Sequence, residues 1–369
     1  MLSLTIVSAL VWVVILLLPW RPWGTSERLS AKEDLATQDL SDITVLIPAR
    51  NEAVCIQDTL RAVAAQGSLA RIVLVDDESE DGTGDLARGL GLENLQVLRG
   101  QRPAPGWSGK LWALSQGLDA VTTPYTLLLD ADITLSPGIL SALKDKLERE
   151  ELDLVSIMAS LSMANWWERL LIPPFIYFFK MIYPFALANS RHPLIAAAAG
   201  GCILIRTGRL RGIGGFAALK DALIDDCTLA RRVKDAGGKT WLGLSRDVAA
   251  ARPYDSVGTI WNMVARTAYT QLRYSALLLA LCTLGLFLIY LVPVLGLAAA
   301  DPWAKAAALT GLVCMSASYL PLLRYYGRHW LWSLTMPLSA SLYLAMTWTS
   351  ALRFYRGERS RWKNRSYQR

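Results

Sequence analysis

The sequence has few residues from which a disulfide framework or a zinc site could be built. Two histidines occur in 369 residues, and the five cysteines show no paired spacing. Two of those cysteines, Cys282 and Cys314, fall within hydrophobic runs. An odd number of thiols without paired spacing argues against disulfides and is typical of a protein in a reducing compartment.

The chain also lacks a nucleic-acid-binding motif, although its net charge is +7. Nearly all of that charge lies in the last 17 residues, Arg353–Arg369, which carry six arginines, one lysine and one glutamate. A basic segment directly after a hydrophobic run is typical of a cytoplasmic tail that meets anionic lipid headgroups. We therefore expect a membrane partner and no nucleic-acid partner.

Long hydrophobic runs are concentrated at the two ends of the chain. The first, Leu2–Leu18, has no basic residue before it and no small-x-small cleavage site after it, which favours a retained anchor over a signal peptide. The other three are each about long enough to cross a bilayer as a helix; they are Ala276–Ala300, Ala306–Leu323 and Trp330–Leu352. Because the last contains Pro337 and many hydroxyl side chains, we expect it to re-enter and return to the same face.

These runs predict four regions, namely a membrane anchor at residues 1–20, a globular domain at 21–274, membrane segments at 275–352 and a basic cytoplasmic tail at 353–369. Within the domain, residues 166–187 are rich in aromatic side chains and are interrupted by Pro173-Pro174. We expect the prolines to break any helix there. An interfacial segment lying against the headgroups and a buried pair of core helices both fit this stretch.

Short apolar strands alternate with helical segments between the hydrophobic ends. The segments ITVLIPA, RIVLVDD, LQVL and YTLLLD read as strands, and the segments that follow them have helical periodicity. Continuous apolar strands separated by helices predict an α/β fold with a mostly parallel sheet that is covered on both faces.

Three of the predicted strands end in polar clusters: Pro48-Ala49-Arg50-Asn51-Glu52, Asp76-Asp77 and Asp130-Ala131-Asp132. Each cluster alone fits a helix cap or a solvated turn. Together they fit one site, because ligands bind beyond the carboxyl ends of strands in such sheets. Two carboxylates one residue apart suit Mg²⁺ or Mn²⁺ shared with the phosphates of a substrate.

Six motifs occur in the order and spacing of family 2 inverting glycosyltransferases of the GT-A fold, which the chain resembles over essentially its whole length. They are VLIPARNE, VLVDDESEDGT, GWSGKLWAL, LLLDADI, GGCILIRTGRLRGIGGF and DDCTLARRV. The membrane-anchored branch with ceramide-glucosyltransferase-like enzymes is most similar. The segments WERLLIPPFIYFFKMIYPFALAN, TQLRYS and WKNRSY resemble the hopanoid-biosynthesis-associated glycosyltransferases of bacteria. The resemblance implies a GT-A, Rossmann-like sheet at residues 21–274.

The resemblance also implies how the donor and a metal ion would be held. It assigns the nucleotide base and ribose to the first polar cluster, the uracil N–H to the second, the donor phosphates to a lysine, and the ribose or sugar and the metal to the third. The donor-binding residues are Pro48, Arg50, Glu52, Asp76, Asp77, Lys110 and Asp130, and the residue that holds Mg²⁺ or Mn²⁺ is Asp132. For Lys110 alone, a solvated position in a packed loop would be the simpler interpretation.

The catalytic residues implied by the resemblance are Asp225 and Asp226. Their segment is similar to the family pattern Glu-Asp-x-x-Leu-x-x-Arg, with Asp225 in place of the glutamate. Asp226 takes the position of the general base that accepts the proton of the acceptor hydroxyl. An acidic pair at a helix N-terminus is the structural alternative, and the two interpretations are compatible.

Contacts to the acceptor or to phosphate are implied at Gly201, Arg273, Tyr274, Trp362 and Arg365. Processive relatives carry Gln-x-x-Arg-Trp, whereas this chain has Thr270 at the glutamine position and Tyr274 at the tryptophan position. This departure argues against polymer synthesis.

The predicted function is that of an inverting enzyme, multi-pass in a bacterial cytoplasmic membrane with its catalytic domain in the cytoplasm. It would move a sugar from a UDP-sugar to the hydroxyl of a lipid acceptor, a hopanoid or a related lipid. A polyprenyl-phosphate glycosyltransferase and an inactive scaffold of a lipid-synthesis complex are the alternatives.

Overall fold

The structure, a computed structural model, describes residues 1–32, 39–192, 194–220, 222, 224–358, 361–362 and 365–366. The chain divides into two compact units. The sheet unit comprises Glu27–Ser162, Leu187–Pro253 and Ser360–Arg369, and the helical unit comprises Met1–Ser26, Met163–Ala186 and Tyr254–Arg359. Most of the predicted interfacial segment at 166–187 therefore groups with the terminal helices and not with the sheet.

The regular elements follow one another along the chain as strands and helices in alternation, and then as helices. They are α1 (Leu2–Leu17), β1 (Leu40–Ala49), α2 (Ile56–Ala64), β2 (Leu69–Asp76), α3 (Thr83–Arg88), β3 (Leu95–Arg99), α4 (Gly109–Leu118), β4 (Tyr125–Leu129), β5 (Ile133–Leu135), α5 (Ile139–Arg149), β6 (Leu154–Ser160), α6 (Trp166–Ile182), α7 (Phe185–Ala188), β7 (Cys202–Arg206), α8 (Thr207–Gly212), α9 (Asp225–Asp235), β8 (Thr240–Ala250), α10 (Val257–Ala265), α11 (Ala268–Gln271), α12 (Ala276–Leu286), α13 (Val292–Gly296), α14 (Pro302–Tyr325), α15 (Met336–Tyr355), β9 (Arg361–Trp362) and β10 (Arg365–Ser366).

The sheet unit contains one eight-stranded sheet in the order β3-β2-β1-β4-β7-β6-β8-β5. Strands β3, β2, β1 and β4 run parallel. Beyond them the sheet is mixed, because β7 runs antiparallel to β4 and β6, and β5 runs antiparallel to β8. The predicted α/β fold is confirmed; the first four strands along the chain form a continuous parallel half, and β6 and β8 form a further parallel pair.

Both faces of the sheet are buried, since successive residues of a strand point to opposite sides. Val45 and Ile47 of β1 belong to an apolar layer that includes side chains of α2 and α5. Leu46 belongs to a second layer with side chains of α4 and α9. The strands thus have a rigid interior, and their ends are the positions left for polar side chains.

In the helical unit, α6 is one continuous helix despite Pro173 and Pro174, so the predicted break is wrong. Pro174 has no N–H with which to pair the carbonyl of Leu170 four residues earlier. The hydroxyl of Ser339 on α15 donates to that carbonyl at 3.0 Å, and the hydroxyl of Tyr343 donates to the next carbonyl, of Leu171, at 2.8 Å. The Ser339 hydroxyl therefore supplies the donor that Pro174 lacks, and Tyr343 adds a second hydrogen bond from α15 to the adjacent carbonyl.

The missing N–H of a proline also explains a π-helical turn at Phe287–Leu291. Pro293 cannot donate to the carbonyl of Ile289, which instead accepts the indole N–H of Trp12 at 2.8 Å and the hydroxyl of Ser8 at 3.3 Å. Trp12 is fully buried. The N-terminal part of α1 packs closely against Gly296, where an added Cβ would lie 2.5 Å from a methyl of Thr5. The N-terminal helix is thus packed into this unit by shape and by hydrogen bonds.

Among the described residues, two helices are long and apolar enough to cross a membrane, Ala276–Gly296 and Pro302–Tyr325. They correspond to the first two predicted C-terminal segments. The first apolar helix, α1, has 16 residues and is shorter. In the predicted re-entrant segment, a 3₁₀ turn at Trp330–Thr335 leads directly into α15, with Pro337 in its first turn.

Candidate active site

The three predicted polar clusters lie along one edge of the sheet. Strand β1 runs parallel to both β2 and β4, with Ala49 opposite Asp76 and Leu46 opposite Leu128. The carboxyl ends of parallel strands meet at the same edge. The residues that follow β1, β2 and β4 are therefore neighbours in the fold, as the sequence predicts.

Lys110 and Asp130 form an ion pair at this edge. Lys110 lies in the first turn of α4, whose N-terminus is capped by Ser108, and its Nζ is 2.6 Å from Oδ1 of Asp130. Burial alone would lower the pKa of Lys110, but the charges of Asp130, Asp225 and Asp226 outweigh it and raise that pKa above the usual range. Burial likewise raises the pKa of Asp130, with partial compensation by Lys110. Lys110 is therefore a charged group that interacts with three carboxylates, and not a solvated loop lysine.

Asp226 is held in a fixed orientation in the first turn of α9. Its Oδ2 accepts the backbone N–H of Gly200 at 2.8 Å, and its Oδ1 accepts that of Cys227 at 2.7 Å. Burial, and then the negative charge of Asp225, raise the pKa of Asp226 to about 6. A carboxyl group whose pKa lies near neutrality can both accept and release a proton under physiological conditions.

Gly200 allows the lysine and the candidate base to converge. A Cβ built at this position would lie 3.3 Å from Oδ2 of Asp226 and 3.4 Å from Nζ of Lys110. The carbonyl of Gly201 accepts the N–H of Asp130 at 3.0 Å. The missing side chain at Gly200 therefore leaves room for both charged groups, and Gly201 contributes its backbone carbonyl.

One small cavity brings these groups together. Its polar lining comes from Lys110, Asp130, Asp225 and Asp226, and leucine side chains of α4, β4 and α9 form much of the remainder. Both members of the predicted catalytic pair line it with the Lys110–Asp130 pair, and both lie in the first turn of α9, where a negative charge suits the helix dipole.

Asp132, the predicted metal ligand, lies directly after this group. Its charge contributes to the raised pKa of Asp130, so the two carboxylates are close enough to interact. Within the described part of the chain, no three His, Cys, Asp or Glu side chains are arranged to hold a metal ion. The donor chemistry fits Mg²⁺ or Mn²⁺ bound by the Asp132 carboxylate, with the remaining oxygens supplied by a diphosphate.

A separate polar depression lies at the ends of β1, β2 and β3. Its lining includes Arg50, Asp76 and Glu78, together with arginines at 88, 99 and 102. The Arg50 guanidinium donates to the backbone carbonyls of Asp77 and Glu78. Arg50 thus holds the loop after β2, and the side chain of Asp77 is fully buried beneath it.

Arg252 is a site residue that the sequence analysis missed. It follows β8 and donates to Oε2 of Glu52. The Asp132 charge is among the causes that raise its pKa, after Glu52 and Cys55. No local motif surrounds Arg252, and only the pairing of β8 with β5, which is not visible in the sequence, brings it here.

The remaining predicted acceptor residues are separate from this group along the chain. Arg273 and Tyr274 lie in the helical unit and both have left-handed backbone conformations, with φ of 51° and 55°. The Tyr274 ring stacks on Phe354 with centroids 4.6 Å apart. Trp362 and Arg365 belong to the short antiparallel pair β9–β10, and their side chains lie outside the described part of the structure.

Comparison with known proteins agrees with this geometry. Residues 44–214 match the model of glycosyl transferase family 2. A 4,4'-diaponeurosporenoate glycosyltransferase of Staphylococcus haemolyticus is 30% identical over 105 residues, which are 28% of this chain and 27% of that protein. A poly-beta-1,6-N-acetyl-D-glucosamine synthase of Staphylococcus aureus is 32% identical over 108 residues, or 28% and 25% of the two chains. The chain thus matches about a quarter of the length of these relatives.

A solved mannosyltransferase from Pyrobaculum calidifontis, in complex with GDP-Man and Mn²⁺, has the same fold. It is 17% identical, the match covers 95% of this chain and 98% of that one, and the TM-score is 0.55. The α/β sheet of this chain is therefore of the GT-A type. The resemblance is therefore confirmed for residues 44–214, the part of the chain that matches the family 2 glycosyltransferase model.

Proposed function

We propose that this protein is a membrane-associated inverting glycosyltransferase that moves a sugar from a UDP-sugar to the hydroxyl of a lipid. The observation that carries the proposal is Asp226, whose two backbone hydrogen bonds and raised pKa suit a general base. It lies in a cavity with the Lys110–Asp130 ion pair. A base and a fixed positive charge are what transfer to a hydroxyl requires.

The reaction would be a single displacement at the anomeric carbon. The acceptor oxygen forms a bond to that carbon while its proton passes to the carboxylate of Asp226, and the bond from the carbon to the donor diphosphate breaks. Attack from the side opposite the leaving group inverts the anomeric centre. Lys110 remains charged throughout and stabilises the negative charge that develops near Asp130.

A divalent cation at Asp132 would neutralise charge on the leaving diphosphate. This chain's residues would orient the donor around it, with Pro48, Arg50 and Asp76 at the base and ribose, and Lys110 and Asp130 at the phosphates and sugar. The support is the shared edge of β1, β2 and β4 on which these residues lie.

The lipid acceptor is proposed from the hydrophobic helices. Two of them are long and apolar enough to span a membrane, and one relative's name specifies 4,4'-diaponeurosporenoate as the compound that is glycosylated. A hopanoid acceptor is favoured by the resemblance of the segments at 167–189, 270–275 and 362–367. We place the basic tail beyond Arg353 in the cytoplasm, which labelling of Ser366→Cys by an impermeant reagent in intact cells tests: efficient labelling would contradict it.

The test of the function is the lipid product. Purified full-length protein is incubated with Mn²⁺, a panel of UDP- and GDP-sugars and membrane lipids, and both nucleotide release and glycolipids are measured. A glycosylated polycyclic lipid is expected. A glycosylated polyprenyl phosphate would instead identify the other acceptor class, and no release with any donor would favour a scaffold.

A further inference from the structure

The backbone that leads into Arg252 lies beside the backbone of Asp132, the predicted metal ligand. Strand β8 pairs antiparallel with β5, with Ala250 opposite Ile133. One residue further on, the N–H of Ala251 donates to the carbonyl of Asp132 at 2.7 Å. Arg252 is the next residue, so the sheet pairing anchors the start of its side chain beside the Asp130–Asp132 segment.

Glu52 fixes the other end of the Arg252 side chain. Oε2 of Glu52 accepts from Nη2 of Arg252 and from the thiol of Cys55, whose Sγ lies at 3.4 Å. Burial and the Glu52 carboxylate raise the pKa of Cys55 to about 11, so the thiol remains a hydrogen-bond donor. These two hydrogen bonds hold the Glu52 carboxylate against Arg252.

The two members of this pair differ in their access to solvent. The Glu52 side chain is 10% exposed, whereas that of Arg252 is 45% exposed. A guanidinium has five N–H donors in a planar fork, and one edge suffices to bind the carboxylate. The remaining donors of Arg252 are therefore accessible, and its charge is close enough to Asp132 for the two to interact.

We propose that Arg252 binds the diphosphate of the nucleotide-sugar donor and that Glu52 is the positioning residue that aims it. The inference rests on the proposed function, which supplies the donor. The planar guanidinium matches the oxygens of a phosphate group better than an ammonium does. Together with Lys110, Arg252 gives the diphosphate a second fixed positive charge from the protein, in addition to any cation at Asp132.

This role predicts opposite changes in two affinities. Arg252→Gln removes a donor to the diphosphate, so UDP or GDP in the presence of Mn²⁺ should bind about 10- to 100-fold more weakly. The same change removes a positive charge near Asp132, so Mn²⁺ alone should bind equally well or more tightly. A purely structural salt bridge would weaken both affinities or neither. Calorimetry on the full-length protein in detergent measures them separately.

Arg252→Gln also leaves Glu52 as a buried, uncompensated charge. Further variants separate the effect of that charge from the loss of a contact to the diphosphate. The double variant Glu52→Gln/Arg252→Gln has no such charge, and it should bind the nucleotides as weakly as Arg252→Gln. Arg252→Lys keeps the charge but loses the fork and should be intermediate. Arg149→Gln, which removes an exposed arginine paired with Asp145 on α5, is the matched control and should bind as the unmutated protein does.

The outcomes separate this inference from the proposed function. Nucleotide binding by the folded double variant that equals that of the unmutated protein would overturn the role of Arg252. Absence of UDP and GDP binding in the unmutated protein would instead overturn the proposed function itself. Weakened nucleotide binding with retained Mn²⁺ binding supports both.

Discussion

Buried polar groups have different chemistry in the two units of this molecule. In the sheet unit, charged side chains at the candidate site meet other charges, as in Lys110–Asp130 and Glu52–Arg252, and neutral buried groups such as Thr126 and Ser156 lie within the sheet. In the helical unit several are neutral hydroxyl or indole groups that donate to backbone carbonyls, two of which are left open by proline. Glu168 and Lys180 are buried charges in that unit, and they lie near the two ends of α6, where they suit the helix dipole.

The difference follows from what each unit must do. A charge in a low-dielectric interior is costly unless it is paired, and paired charges suit the charged donor that we propose for the sheet unit. Neutral donors satisfy open carbonyls at a smaller desolvation cost. We therefore expect loss of a charged group in the sheet unit to change ligand binding or turnover, and loss of a neutral hydrogen bond in the helical unit to change stability.

The largest effect is expected for Asp226→Asn. The amide keeps the shape of the side chain and can still accept one N–H, but it cannot accept a proton, so turnover should fall about 10²- to 10⁴-fold. Nucleotide binding should persist. Steady-state rates and calorimetry on the same preparation check both, and turnover near the original value in a folded variant would reject Asp226 as the base.

The same residue predicts a pH dependence of opposite sign for rate and stability. The pKa is raised from 3.8 to about 6, so the rate should increase as pH rises through about 6 and the base loses its proton. Between these values the folded protein holds a proton that the unfolded chain has released, so this group lowers the free energy of unfolding as pH rises. Asp226→Asn should therefore unfold at an equal or higher temperature above pH 6. A drop in its melting temperature there would contradict the assignment.

The second effect concerns Asp132, the proposed metal ligand. Asp132→Ala should remove the Mn²⁺-dependent part of nucleotide affinity, about 10- to 100-fold, and EDTA should reproduce that loss in the unmutated protein. Its matched control is Asp145→Ala on α5, whose carboxylate pairs with surface residues only. Unchanged affinity and activity in EDTA would remove both the metal and the role of Asp132.

The sequence predicted the sheet and the grouping of its strand ends well, because strand periodicity and the parallel rule are local and general. It could not predict Arg252, whose place depends on the pairing of β8 with β5. It also predicted a break at Pro173-Pro174, since proline removes a donor wherever it occurs. Whether a helix continues through a proline depends on hydrogen-bond donors from other parts of the chain. Here those donors, Ser339 and Tyr343, lie more than 160 residues away in the sequence.

A third, smaller effect tests those donors in the helical unit. Tyr343→Phe and Ser339→Ala each leave a buried carbonyl with one fewer donor and should lower the free energy of unfolding in detergent by about 1–2 kcal/mol. Ser341→Ala on the same helix is the control, because its hydroxyl bonds only to the carbonyl of Pro337 one turn earlier. Nucleotide binding should remain unchanged in all three. Equal stability of Ser339→Ala and Ser341→Ala would show that Pro174 needs no outside donor at the Leu170 carbonyl.

The smallest effect is expected for Trp12→Phe. The ring remains to fill the buried position, but the carbonyl of Ile289 keeps only the longer hydrogen bond from Ser8. We expect a loss of about 1 kcal/mol in stability, measured as a lower unfolding midpoint in detergent, with turnover retained. Trp303→Phe is the control, since Trp303 is 74% exposed and its loss should not shift the midpoint. If Trp12→Phe were as stable as that control, the packing of α1 would depend on shape alone, through Gly296 and Thr5, and neutral hydrogen bonding would not be what stabilises this part of the unit.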